Sequence, residues 1–344
     1  SGNLVVNGSG EAVADGATRY CLDANAADGA TVRVDAKIKV YSATPSTFNP
    51  DILISRTQFG AGTTTYQGGL TPYFTQRAGI VGNGSAPNTV DEIVWPNGED
   101  VWVAFEQAGS WLRTFVAGCE ALRMYVASPS VATGRPAIGS QNAHTGDDYA
   151  TYKYLRIETA PTRSQVTCFG DSLTRGQTGP QGGEFFAGFF DTYPTRLADL
   201  LGAGETVDVV NMGIPGATTA GIVSAASATS QTSVSPDNFR FGGRLTYRTG
   251  AKNVAVVWVG TNDVVLTGYG VPKTAAALVA EIEDFCDDLT ADGFDAVVVL
   301  GLLHSEHPVY GNPHNSGYND MVDDVNALLA SSSHFDRFID LSAM

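Results

Sequence analysis

The stretch VTCFGDSLTRG, residues 166–176, begins as an apolar run from Val166 to Phe169 and stops at Gly170-Asp171-Ser172-Leu173, after which the chain turns polar. The run has the length and composition of a buried strand, so Ser172 stands where that strand ends. A serine there either caps a short helix or is a nucleophile held up at the edge of a sheet. The chain on either side of it decides between the two.

Downstream, strands and helices alternate. TVDVVNMG, NVAVVWVG and AVVVLGLL read as uniformly apolar strands. YPTRLADLLGAG reads as a helix with Pro194 near its start and Gly202 at its end. TAAALVAEIEDFCDDLTADG and GYNDMVDDVNALLASS carry apolar residues at helical spacing, and FDRFIDLS is a last strand. Apolar strands alternating with helices predict a parallel sheet covered on both faces, over residues 166–344.

Upstream the period changes to two. In TVRVDAKIKVY, residues Val32, Val34, Ala36, Ile38 and Val40 share one face. DEIVWP, DVWVAFEQ, LRTFVAG, LRMYVAS and YKYLRIETA come next, separated by Gly, Pro, Asn and Asp. Many short strands with turn residues between them predict an antiparallel β-sandwich or jelly roll over residues 1–158. TAPTRSQ, residues 159–165, reads as the linker.

Composition narrows the partners. The net charge is -16, from 20 Lys+Arg against 36 Asp+Glu, a surface that repels phosphate backbones and anionic lipid. Nucleic acid is therefore not expected. No run of about 18 apolar residues marks a membrane span. The chain starts at Ser1-Gly2 without a signal-like segment, and is read as processed, trimmed or a fragment. A secreted or virion-surface location is expected, and a homo-oligomer is left open. The four cysteines form no CxxC pair. Cys168 and Cys286 read as small buried hydrophobes, while Cys21 and Cys119 could pair.

In a doubly wound sheet, ligands bind beyond the carboxyl ends of the strands. Those ends carry Gly170-Asp171-Ser172, then Asn211-Met212-Gly213, then Gly260-Thr261-Asn262-Asp263, then His304-Ser305-Glu306-His307. Ester hydrolysis needs a nucleophilic oxygen, a base, and donors for a developing oxyanion. Ser172 supplies the first. Its own N–H, that of Gly213 and the neutral side-chain amide of Asn262 are the candidate donors. Read singly, Ser172 is a helix cap, Gly213 a tight turn, and Asn262 and Asp263 turn residues.

Together, GDSL at 170–173, NMG at 211–213 and GTND at 260–263 resemble, in order and spacing, the first three signature blocks of the SGNH, or GDSL, hydrolases. The resemblance covers roughly residues 165–344. It implies a flavodoxin-like sheet, and a serine esterase in which Ser172 is the nucleophile and Gly213 and Asn262 bind the oxyanion. No metal or organic cofactor is implied.

The family's last block, D-x-x-H, supplies the base and its carboxylate after the final strand. FIDLSAM ends at Met344 without it. The block then lies beyond Met344, comes from another chain, or is missing from a domain that only binds; the first is the expectation. Of the five histidines, His144 and His314 read as loop residues, and His334 as lying at the opposite sheet edge from Ser172. His304 reads as lining the pocket, and His307, with Glu306, is the minority base.

The expected substrate is O-acetylated polysaccharide, because lectin-like sandwiches often accompany carbohydrate esterases. A lipid ester or thioester is the second choice, with the aromatic EFFAGFFDTY, residues 184–193, near the site. Trp95, Trp102 and Trp111 either stack on sugars or fill the sandwich core. The rival reading is a non-enzymatic adhesion or structural protein of a surface appendage or viral tail.

Overall fold

The computed structural model describes residues 3–6, 12–15, 19–21, 32–41, 50–55, 66–73, 77–80, 88–89, 98–108, 111–125, 135–140, 149–159, 163–176, 189–202, 206–227, 250–264, 273–304 and 317–342. In the first half the described elements are strands: β1 (Asn3–Val6), β2 (Ala12–Asp15), β3 (Arg19–Cys21), β4 (Val32–Tyr41), β5 (Pro50–Ser55), β6 (Tyr66–Tyr73), β7 (Arg77–Ile80), β8 (Asn88–Thr89), β9 (Asp100–Ala108), β10 (Trp111–Val116), β11 (Cys119–Tyr125), β12 (Arg135–Ser140) and β13 (Tyr149–Thr159). These strands match the expected β-rich half, while the side chains that would pack a sandwich lie largely outside the described set.

The second half alternates. β14 (Ser164–Gly170) leads into the single turn of α1 (Ser172–Arg175), then α2 (Tyr193–Leu200), β15 (Val207–Gly213), α3 (Thr219–Ser227), β16 (Asn253–Trp258) and α4 (Thr261–Val264). α5 (Ala275–Asp292), β17 (Ala296–Leu300), α6 (Tyr318–Ser331) and β18 (Arg337–Ile339) complete it. Local sequence explains the helix boundaries. The Thr274 hydroxyl accepts the Ala277 N–H at the start of α5, and Gly293 ends it in the left-handed region at φ 107°. In α2, Thr192 caps and Pro194 sits in the first turn, where a missing N–H costs nothing.

The five strands run parallel in the order β15-β14-β16-β17-β18, the 2-1-3-4-5 arrangement of flavodoxin-like sheets. Helices cover both faces. One core gathers Phe169, Val210, Val257, Leu278, Phe285, Val299 and Val325 under α5 and α6. The other holds Cys119, Val166, Cys168, Ala198 and Val209 under α2. Cys168, Cys119 and Cys286 are all buried; the Cys21 side chain lies outside the described residues.

The sheet does not stop at β15. β11 pairs with it in parallel, Cys119 opposite Val209 and Glu120 opposite Val210, giving one mixed sheet of twelve strands: β1-β2-β13-β4-β9-β10-β11-β15-β14-β16-β17-β18. The remaining six form a second sheet, β3-β12-β5-β6-β7-β8. Of the segment expected as a linker, residues 160–162 lie outside the described residues, and its two ends belong to strands. β13 runs to Thr159, β14 starts at Ser164, and the buried Arg163 between them pairs with Glu158 at 2.9 Å and Asp35 at 3.0 Å.

Alternation in β4 holds for Val34, Ala36 and Ile38, which are buried. The opposite face is not solvated, however. Arg33 and Asp35 are also buried, in a seam of charge that crosses the sheet. Arg33 binds Asp35, Glu106 and Asp208; Arg113 binds Glu106, Glu120 and Gln165. Both guanidinium groups lie against the ring of Phe115, at 4.4 and 4.8 Å from its centroid.

Candidate active site

Ser172 is half-buried, the first residue of α1, at the carboxyl edge of β14. Three contacts fix its turn. Asp171 Oδ1 accepts the Leu173 N–H at 2.9 Å, an N-cap bond that starts the helix. Gly176 closes the turn in the left-handed region, its N–H donating to the Ser172 carbonyl at 2.9 Å. Asn211, from the neighbouring strand, donates from Nδ2 to the Thr174 carbonyl at 3.1 Å. Gly170 is required by space: a Cβ there would lie 1.8 Å from Thr174 Oγ1 and 2.6 Å from the Trp258 carbonyl oxygen.

Asp171 is buried, with the Thr261 hydroxyl near its carboxyl group. Burial pushes its carboxyl up to about 6, against the Leu173 N–H that favours the anion. Through the Leu173 N–H it holds the turn.

Asn262 is half-buried on α4, two strand ends along from Asn211, and its Nδ2 donates to the Ala217 carbonyl at 2.8 Å. Its neighbour Asp263 is structural. Buried, it accepts the Thr219 N–H at 2.8 Å and the Thr219 hydroxyl at 3.0 Å, and pairs with Lys273 at 2.6 Å. Asp263 thus anchors the start of α3 to the edge that carries Asn262.

Gly213 is placed otherwise than expected. It is buried, and its N–H donates to Asn211 Oδ1 at 3.0 Å. A Cβ on it would stand 2.3 Å from the Arg175 nitrogen, so the α1 backbone lies directly against its α-carbon. Its glycine serves helix packing. Three residues on, Gly216 is half-buried at φ 73°, beside the Ala217 whose carbonyl Asn262 holds. The repeated glycine of NMGIPG was the available sign.

The histidines divide by edge. His304 follows β17 at the carboxyl edge, with Nε2 2.8 Å from Asp323 Oδ1 of α6. His334 precedes β18 at the opposite edge, and its Nδ1 lies 2.8 Å from Asp287 Oδ2. His144, Glu306, His307 and His314 lie outside the described residues, as does the first half, residues 184–188, of EFFAGFFDTY.

A parallel 2-1-3-4-5 sheet with a braced serine and an asparagine amide at its carboxyl edge defines a hydrolase-type α/β domain. The model of the GDSL-like lipase/acylhydrolase family matches residues 168–344, and the chain belongs to that family. No curated protein matches its sequence. Among solved structures it is similar to a lipase/acylhydrolase from Enterococcus faecalis, at 20% identity and TM-score 0.34, covering 52% of this chain and 77% of that one. It is also similar to a family 2 carbohydrate esterase with a carbohydrate-binding domain from Corynascus thermopiles, at 16% identity and TM-score 0.36, covering 100% and 90%. A family two carbohydrate esterase from Cellvibrio japonicus matches at 12% identity and TM-score 0.33, covering 99% and 84%.

Proposed function

We propose that the chain is a serine ester hydrolase that removes acetyl groups from O-acetylated polysaccharide through an acyl-enzyme. The observation that carries the hydrolase reading is the bracing of Ser172. Asp171, Asn211 and Gly170 hold a half-exposed hydroxyl at the one sheet edge where Asn262 also stands. Ser172 Oγ attacks the ester carbonyl, its proton passes to a base, and the alcohol leaves; water then releases acetate. Donors to the oxyanion are the Ser172 N–H, the Asn262 amide and the N–H of Gly216, which replaces Gly213 in that role. The base is a histidine, with His307 the candidate among residues 1–344. The β-strand-rich first half, read as a lectin-like sandwich, supports a glycan over a lipid, and an extracellular or surface location goes with that substrate.

The test is hydrolysis of 4-nitrophenyl acetate and release of acetate from acetylated xylan, by the chain and by its Ser172→Ala variant. Turnover lost in the variant supports the reading, and His304→Ala and His307→Ala then identify the base. Equal, water-like rates in both proteins overturn catalysis by this chain.

A further inference from the structure

A cleft of about 360 Å³ opens between the start of β9 and the outer side of α2, lined by Glu99, Asp100, Trp102, Phe190, Arg196 and Asp199 among others. We propose that it binds a neutral oligosaccharide. The volume lies at the lower end of small-ligand sites, which span roughly 300–1,000 Å³, and suits one or two sugar rings.

The chemistry of the lining matches the two surfaces of a pyranose. Trp102 and Phe190 offer aromatic faces to its apolar C–H face. Trp102 also extends the platform outward. Its ring lies 5.9 Å from that of Tyr154, tilted by 33°, and Tyr154 is 70% exposed; Lys37 Nζ stands 5.6 and 6.0 Å from the two ring centroids and covers one side of the pair. Carboxylates and a guanidinium suit the hydroxyl rim, the former accepting and the latter donating. Two of these are held in place: Asp100 by Lys153 at 3.2 Å, Arg196 by Asp191 at 2.8 Å. Glu99 and Asp199 are exposed at the cleft.

With Lys153 on Asp100, Asp191 on Arg196 and Lys37 over Trp102 counted, four carboxylates face three cations, and the single negative charge left disfavours uronate and phosphate groups. Among the described residues no three His, Cys, Asp or Glu side chains stand close enough together to hold a metal ion.

The cleft is not the Ser172 site. α2 starts at Tyr193, whose ring meets Trp258 edge-on at 5.6 Å, level in the sheet with Gly170. Asp199 is six residues further along the helix, about 9 Å at 1.5 Å per residue. Ala117, also in the lining, adjoins Gly118, whose carbonyl accepts the Val209 N–H at 2.9 Å near the entry of β15. The cleft therefore sits toward the amino ends of the parallel strands, and its occupancy is independent of the esterase reading.

The test is calorimetric titration of the full chain with cellotetraose, xylotetraose and mannotetraose, with tetragalacturonate as the anionic probe. Binding of at least one neutral tetrasaccharide is expected, unchanged in Ser172→Ala and weakened about tenfold or more in Glu99→Ala/Asp199→Ala. Asp199→Asn, which keeps shape and removes charge, is the second variant and is expected to weaken binding in the same direction. Absence of neutral binding at millimolar sugar, equal binding by the double variant, or preference for tetragalacturonate would overturn the proposal.

Discussion

Arg33 and Asp208 stand 175 residues apart in the chain and meet at 2.8 Å, both fully buried. One belongs to β4 in the strand-only half and the other to β15 in the hydrolase sheet, so the pair spans the junction between them. Removing one partner of an isolated buried pair strands the other charge, at a cost of about 3–5 kcal/mol, but Arg33 keeps Asp35 and Glu106 when Asp208 is removed. Asp208→Ala is therefore expected to lower the unfolding free energy by the smaller amount of a lost charged hydrogen bond, about 1.5–3 kcal/mol, read by urea denaturation. A loss under about 1 kcal/mol would show that the seam contributes little.

Asp171 makes stability depend on pH. Burial raises its carboxyl from 3.8 to about 6, so the folded state prefers the neutral acid. That preference is fully present below the unfolded value and is lost as pH rises through the folded one. Asparagine keeps the cap and cannot ionise. Asp171→Asn should match the parent near pH 4 and become more stable than it above pH 6, by on the order of 2–3 kcal/mol at 1.36 kcal/mol per unit. Melting curves at both pH values check this; a gain that is flat with pH would contradict the raised value.

Gly213→Ala forces a Cβ onto the backbone of α1, 2.3 Å from the Arg175 nitrogen. The helix that begins at Ser172 must shift, at a cost of about 1–3 kcal/mol or more for overpacking. The unfolding midpoint should fall and ester turnover with it. Gly216→Ala is expected to reduce turnover with a smaller loss of stability, and the reverse ranking would restore Gly213 to the oxyanion role.

His334 titrates above its ordinary value, held there by its hydrogen bond to Asp287 and by the acidic face of α5. Its contribution is present below the unfolded value and lost as pH rises through the folded one. An NMR titration of Asp287→Asn should move the His334 midpoint down toward 6.5, the value of a free imidazole.

The parallel half was legible because burial on both faces leaves strands uniformly apolar, as in Val254–Val257, while helices such as α5 carry their own caps. Ser172 and Asn262 were legible because residues after such strands land on one edge. The crowding of Gly213 was not legible, because sequence shows a glycine but not that the Arg175 backbone stands against it. Arg33 and Asp35 were hidden for a similar reason. Alternation sends them to solvent, and nothing local announces Asp208 from another part of the chain.

The pairing of β11 with β15 also bears on how the protein can be handled. A fragment beginning at Ser164 would retain the five parallel strands yet bare the flank of β15, where Val209 and Val210 are fully buried. Unpaired strand flanks with apolar side chains recruit other chains. Such a fragment should precipitate or form ladders of oligomers on expression, so activity screens are best run on the whole polypeptide.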